Sequence, residues 1–230
     1  MSKRVSKLFM MLAVVAVTVV MTGCCSMNKY PFKKTSKINY DNAYFYDKDG
    51  KFLEERAKDA VISLMKYHGY NVFPGLREKL WVSDYGTGRY TELGLAAYMY
   101  KNNEKDQYML MDLFLMPNQM LPEHWHLPTT KNPVKMEGWL VRNGKSHIVG
   151  EGTPNLSESI TIPSCHMNGK VTVEHEVIAT PGVFVPLNRA TARHWQYGGP
   201  EGAIITEVAN VHDNDGVRHS DKKINDFFLK

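Results

Sequence analysis

The spacing of apolar residues changes once along this chain, and the change divides it. Over 53–67 the apolar residues Leu53, Ala57, Ala60, Val61, Leu64 and Met65 recur three and four apart. That spacing predicts an amphipathic helix, with Gly69 as its stop. A second short helix is expected over 75–80. From Asp84 onward the pattern becomes short apolar or alternating runs broken by turn residues. Runs at 93–100 and 107–116 flank Lys101-Asn102-Asn103-Glu104-Lys105, whose composition is that of a hairpin turn. Asn143-Gly144 and Asn168-Gly169 give two further hairpin signals. Additional strands are predicted at 157–163, 171–179, 183–187, 193–197 and 203–209. Many short strands at regular spacing indicate an antiparallel sandwich or barrel. The reading is mainly β, with an N-terminal helical arm at 51–83 and a barrel over 84–230.

The first 50 residues have a different character. Lys3, Arg4 and Lys7 precede an apolar run at 8–21, too short for a comfortable transmembrane helix. The run ends Met21-Thr22-Gly23-Cys24, which resembles a bacterial lipoprotein cleavage box with Cys24 as the lipidated residue. Residues 1–23 are therefore read as an export signal, and 24–50 as a membrane tether and extended arm. The expected location is the periplasmic face of a bacterial membrane. The whole chain carries 28 Lys and Arg against 24 Asp and Glu. Removing three cations with the signal leaves 25 against 24, so the mature charge is near neutral and no basic stripe suggests nucleic acid. Cys25 and Cys165 remain, and a bridge from a tether to the domain is not expected.

The chemistry concentrates in Pro122-Glu123-His124-Trp125-His126 and in Lys135-Met136-Glu137. In a strand, His-x-His places both imidazoles on one face, because side chains alternate. A carboxylate from a neighbouring strand, Glu137, and a later histidine, His194, can complete four ligands. Three neutral imidazoles with one carboxylate suit a borderline divalent ion such as manganese, iron, zinc or nickel. Glu207 stands in the apolar run Ala203-Ile204-Ile205-Thr206-Glu207-Val208, where a carboxylate needs a partner or a task. Lys135, two residues before Glu137, would face the same way. His68 suits a helix end, whereas His147, His166, His175, His212 and His219 lie in polar surroundings typical of exposed positions. Trp125, Trp139 and Trp195 flank the candidate ligands and either stack on a ligand or fill the barrel.

His-x-His, a later Glu and then Gly144 resemble the first motif of the cupin superfamily, and His194 stands where the second motif supplies its histidine. The finer resemblance is to the D-lyxose isomerase family of cupin sugar isomerases. It rests on Gln119-Met120-Leu121-Pro122-Glu123-His124-Trp125-His126, Lys135-Met136-Glu137, Arg142-Asn143-Gly144, His194-Trp195 and Glu207-Val208. It spans roughly 84–221. It implies a jelly-roll barrel with a divalent metal, often manganese with cobalt, zinc, iron or nickel as others, on His124, His126, Glu137 and His194. It further suggests Lys135 and Glu207 as catalytic groups, with Gln119, Lys135 and Trp125 toward the sugar. Gly138, where the family commonly has an acid, leaves sugar specificity open. The expected activity is aldose–ketose isomerisation of the D-lyxose/D-xylulose or D-mannose/D-fructose type. Two other readings stay open, a non-catalytic sugar-binding cupin and a metal-dependent oxidase or dioxygenase. A homodimer is also open.

Overall fold

The structure, a computed structural model, describes residues 38–230. The segment 1–23, read above as an export signal, and Cys24 lie outside the described residues. The described chain begins with an extended segment and one 3-10 turn, Asn42–Phe45, whose Asp41 cap accepts from the Ala43 N–H. Helix α1, Glu54–Tyr67, follows and buries Ala57, Ala60, Val61, Leu64, Met65 and Tyr67, the face its apolar spacing predicts. It stops at Gly69, which takes φ +67°. Tyr70 N–H there returns to the Met65 carbonyl and Gly69 N–H to that of Lys66, the two bonds that close a left-handed helix end. A single turn, α2, Leu76–Lys79, leads into the sheet.

Nine strands follow: β1 Trp81–Ser83, β2 Leu95–Asn103, β3 Tyr108–Leu115, β4 Met120–His126, β5 Glu137–Gly150, β6 His175–Ala179, β7 Phe184–Pro186, β8 His194–Ala209 and β9 Val217–His219. Helix α3, Lys222–Phe228, ends the chain behind an Asp221 cap. Strands run in the order β1-β2-β3-β8-β4-β9, and β5 adds β6, β7 and a second partnership with β8. Every strand-to-strand pairing is antiparallel. The sheet curls because β8 serves three neighbours, pairing β3 through 203–209, β4 through 194–197 and β5 along most of its length.

The curl separates two principal cores. Inside it, Leu95, Ala97, Met111, Leu113, Leu121, Trp139, Val141 and Ile205 pack together. On the outer face, Ala96, Tyr98, Phe114 and Ile204 take the buried stripe of α1 along with Phe45 and Tyr90. Alternation along β8 therefore sends Ile205 inward and Ile204 outward, and places Glu207 on the inward face.

Three local expectations are corrected. Asn143-Gly144 turns no hairpin: β5 runs unbroken through it, with register shifts on either side against β8. Gly144 takes φ +71°, and a Cβ there would stand 2.1 Å from the Gly202 carbonyl oxygen. The Asn-Gly pair thus serves a bulge where two long strands bend together. The strands expected at 193–197 and 203–209 are one continuous strand. No strand forms over 157–163, and of 171–179 only His175–Ala179 is a strand. Instead, 151–174 is an irregular strap whose Leu156, Ile160, Ile162, Val171 and Val173 pack on Met120, Val149, Trp195 and Tyr197. An apolar run can be satisfied by covering a sheet as well as by joining it. The Asn168-Gly169 pair is a turn within this strap, with φ of +56° and +79°.

Candidate metal centre and cavity

The site begins with a defect in pairing. Strand β4 pairs with β8 at Leu121↔Gln196 and then at His124↔His194, with a register shift between them. An extra residue in one strand reverses its alternation. Leu121 and His124 therefore both face the interior although they are three apart. Glu123 turns outward, where it is fully buried and accepts from Thr172 N–H at 2.7 Å, Thr172 Oγ1 at 2.6 Å and Val173 N–H at 3.2 Å. The bulge aims the histidines inward and, through Glu123, ties the strap behind them.

His124, His126 and His194 then converge, their ligand atoms all within 4.8 Å of one another. His124 Nδ1 donates to the Pro122 carbonyl at 2.9 Å and His194 Nδ1 to that of Ala192 at 3.0 Å. A carbonyl only accepts, so each Nδ1 holds the proton and each Nε2 keeps its lone pair. Glu137 Oε1 lies 3.0 Å from His126 Nε2 and 3.2 Å from His194 Nε2. All three atoms are buried and none makes a hydrogen bond. At His194, whose proton sits on Nδ1, a nitrogen lone pair faces a carboxylate oxygen with no proton between them, an arrangement a shared cation fits. Burial, reinforced by the neighbouring rings, holds His124 well below the ordinary imidazole range, and burial brings His126 down to about 4. Neutral imidazoles are the form that binds a metal.

Behind Glu137 lies an acid–base group. Lys135 Nζ is 2.7 Å from Glu137 Oε2 and 2.5 Å from Glu207 Oε1, and Trp139 Nε1–H donates to Glu207 Oε2 at 3.1 Å. All of these side chains are buried. Burial works against the Lys135 ammonium, but the two carboxylates outweigh it and hold the group above its usual range. Burial pushes the Glu207 carboxyl up to about 7, against the pull of Lys135. Glu137 is held well below the carboxylate range: burial opposes this, but Lys135, His126 and His194 prevail. With Glu207 ionised, two carboxylates around one ammonium leave an excess of negative charge, which a divalent ion would offset. The donor set and its charge both fit a metal.

His124, His126, Lys135 and Glu207 line a cavity of about 270 Å³, with Glu137 beside His126 and Lys135. Leu95, Ala97, Met99, Met111, Leu113 and Leu121 make an aliphatic wall, while Trp81, Tyr85 and Phe228 also line it. Two residues expected near a ligand are not brought here. Gln119 is fully buried elsewhere, its carboxamide engaged by Met116 N–H and by the Tyr90 carbonyl. Trp125 faces the other side of β4, with the Arg193 guanidinium 4.3 Å over its ring. Conversely, His212 and His219 line the cavity, and the exposed positions expected for His147, His166 and His219 are corrected, whereas His175 and His212 are half-buried. His219 is 5 % exposed, and His147 and His166 are buried as well. Alternation along Val217-Arg218-His219 was the available signal, since β9 buries its first and third residues.

No family model matches the chain. Curated relatives do. It is 34% identical over 168 residues to the D-lyxose ketol-isomerase of Cohnella laeviribosi, covering 73% of this chain and 90% of the relative. It is 30% identical over 171 residues to the D-lyxose/D-mannose isomerase of Thermosediminibacter oceani, with the same coverage of each. The chain belongs to the D-lyxose isomerase family. Among solved structures, the L-ribose isomerase of Acinetobacter sp. DL28 in complex with L-ribose aligns over 83% of this chain and 98% of its own, with TM-score 0.60 and 10% identity. The Cellulomonas parahominis L-ribose isomerase with L-psicose aligns over 81% and 97%, with TM-score 0.59 and 12% identity. At such identities the likeness speaks for the fold, and it agrees with the cupin-type barrel expected from the motifs.

Proposed function

We propose that this protein is a metal-dependent aldose–ketose isomerase of the D-lyxose/D-mannose type. The observation that carries the reading is that His124, His126 and the Lys135–Glu207 pair line one cavity, with the unpaired Nε2 atoms of His126 and His194 both beside Glu137. His124, His126, His194 and Glu137 would hold a divalent ion, manganese by family resemblance. Such an ion supplies a Lewis acid to the two sugar oxygens at C1 and C2.

The chain's own groups carry the proton. Glu207, as carboxylate, takes the hydrogen of C2 as a proton while the C2–H electrons form the C1–C2 double bond. It then returns that proton to C1. O2 loses a proton and O1 gains one, so an aldose leaves as its ketose with no net change of atoms or electrons. Lys135 places a buried positive charge beside the oxygens that become negative. Trp139 fixes the second Glu207 oxygen, so the carboxylate presents one orientation. An oxygen-using cupin would have no need of this Lys–Glu pair.

The test is ketose formation from a panel of pentoses and hexoses by the manganese-loaded chain. Turnover of D-lyxose or D-mannose supports the reading, and binding without turnover of any sugar would replace it with a sugar-binding role. Its place in the cell is a further part of the proposal. The basic start, apolar run and Gly23-Cys24 support an exported lipoprotein anchored through Cys24 at a periplasmic membrane face. Cys24→Ala should move the protein from the membrane fraction to the soluble one, and unchanged membrane association would sink that part.

A further inference from the structure

His219 is a buried histidine in the cavity wall for which the metal centre has no use. Its Nδ1 and Nε2 are both buried, and neither has a hydrogen-bond partner. An imidazole with both nitrogens shielded from water and unsatisfied is rare in a folded chain, because buried polar groups are almost always paired. The ring is held firmly all the same. β9 sets His219 opposite His124 in register. The His219 backbone N–H donates to Asn225 Oδ1 at 3.0 Å. Tyr85 and Phe228 meet the ring edge-to-face, with centroids 5.3 and 5.2 Å away.

The ring centroid lies 5.7 Å from that of His124. His219 nevertheless stands outside the trio whose ligand atoms all lie within 4.8 Å of one another. It is therefore adjacent to the metal end without belonging to it. No carboxylate pairs with either ring nitrogen, and a neutral imidazole offers one N–H donor and one acceptor. The same cavity offers the aliphatic side chains of Leu95, Met99 and Met111. His212 also lines the cavity, but its Nε2 is already engaged with Asn214 Oδ1 at 2.9 Å.

We propose that His219 is a specificity-determining residue that holds a sugar hydroxyl beyond the C1 and C2 oxygens, at C3 or C4. It thereby selects among aldoses by configuration at that carbon. This rests on the reading of the cavity as a sugar site. His219 lines the same cavity as His124, with the two ring centroids 5.7 Å apart, and a neutral imidazole can both donate to and accept from one hydroxyl. The aliphatic wall then meets the sugar's C–H face.

The test pairs a deletion in the protein with a deletion in the substrate, using the full manganese-loaded chain. Wild type, His219→Phe and His219→Gln are compared on the best aldose and on its 3-deoxy and 4-deoxy analogues, with metal content measured throughout. In the wild type, one analogue should lose about 10- to 100-fold in kcat/KM. His219→Phe should lose a similar factor on the parent sugar, mainly through KM, and little more on that analogue. His219→Gln, which keeps a donor and an acceptor, should recover part of the loss. Losses that simply add, or equal losses in both variants, overturn the assignment while turnover continues to support the isomerase. Calorimetric titration separates the remaining cases. If the wild type binds the sugar without turning it over and His219→Phe binds both sugars alike, the isomerase reading falls and His219 keeps its role. A chain that neither binds nor turns over any aldose overturns both.

Discussion

Glu207 and His126 stand within the same buried cluster and predict different failures. Glu207→Gln keeps the shape and the Trp139 contact but cannot take a proton from carbon. Its turnover should fall by about 10²-fold or more with metal content unchanged. Steady-state kinetics beside elemental analysis checks this, and wild-type turnover in that variant would remove Glu207 from the chemistry. His126→Ala removes a ring nitrogen aimed at the common centre and leaves Glu137 Oε1 with only His194 Nε2 beside it. Metal content and activity should fall together. An alanine variant that holds its metal at full stoichiometry would show that His126 is no ligand.

Two bends matter at the level of elements, and each rests on a local irregularity in strand pairing. The bulge between Leu121 and His124 turns the histidines inward, and the one around Gly144 lets β5 and β8 curl side by side. Gly144→Ala tests the second. Its positive φ disfavours any side chain, at about 1 kcal/mol or more. The added Cβ also meets the Gly202 carbonyl oxygen, a backbone atom that cannot swing aside. A loss of roughly 2 kcal/mol or more is expected in urea unfolding, and a loss under about 0.5 kcal/mol would show that the bend relaxes freely. The strap at 151–174 follows a related logic. Glu176 accepts from Ser157 N–H at 2.8 Å and pairs with His147, while Glu123 holds Thr172. Both carboxylates fasten a loop to the sheet, leaving the inner face to Lys135, Glu137 and Glu207.

A divalent ion held at this site would act on the whole molecule as a structural ligand as well as a chemical one. β4, β5 and β8 each contribute to the cluster, so a cation bound only by the folded chain ties three strands together. At 100 times its dissociation constant such a ligand adds about 2.7 kcal/mol of stability. Stripping with a chelator should lower the melting temperature by several degrees, and restoring manganese should return it. An apo form that melts at the same temperature as the loaded form would argue against a preformed site.

The sequence by itself determined the elements that depend on neighbours along the chain. The apolar spacing of α1, the stop at Gly69 and most strands of the barrel were legible because periodicity records which face is buried. His124, His126, Glu137 and His194 were legible as a candidate set because ligand chemistry restricts residue types. Lys135 was legible as a neighbour of Glu137, but its contact with Glu207 joins residues 72 apart and exists only in the folded sheet. Tertiary structure alone decided the rest. Asn143-Gly144 carries the backbone freedom of a hairpin turn, and only the approach of Gly202 shows that the freedom serves a bulge. His219 looks like an exposed histidine from its polar neighbours, yet pairing with β4 turns it into the cavity. Gln119 sits in the motif by sequence and away from the cavity in space. Local composition records what a residue can do, whereas its task depends on which distant strand lies beside it.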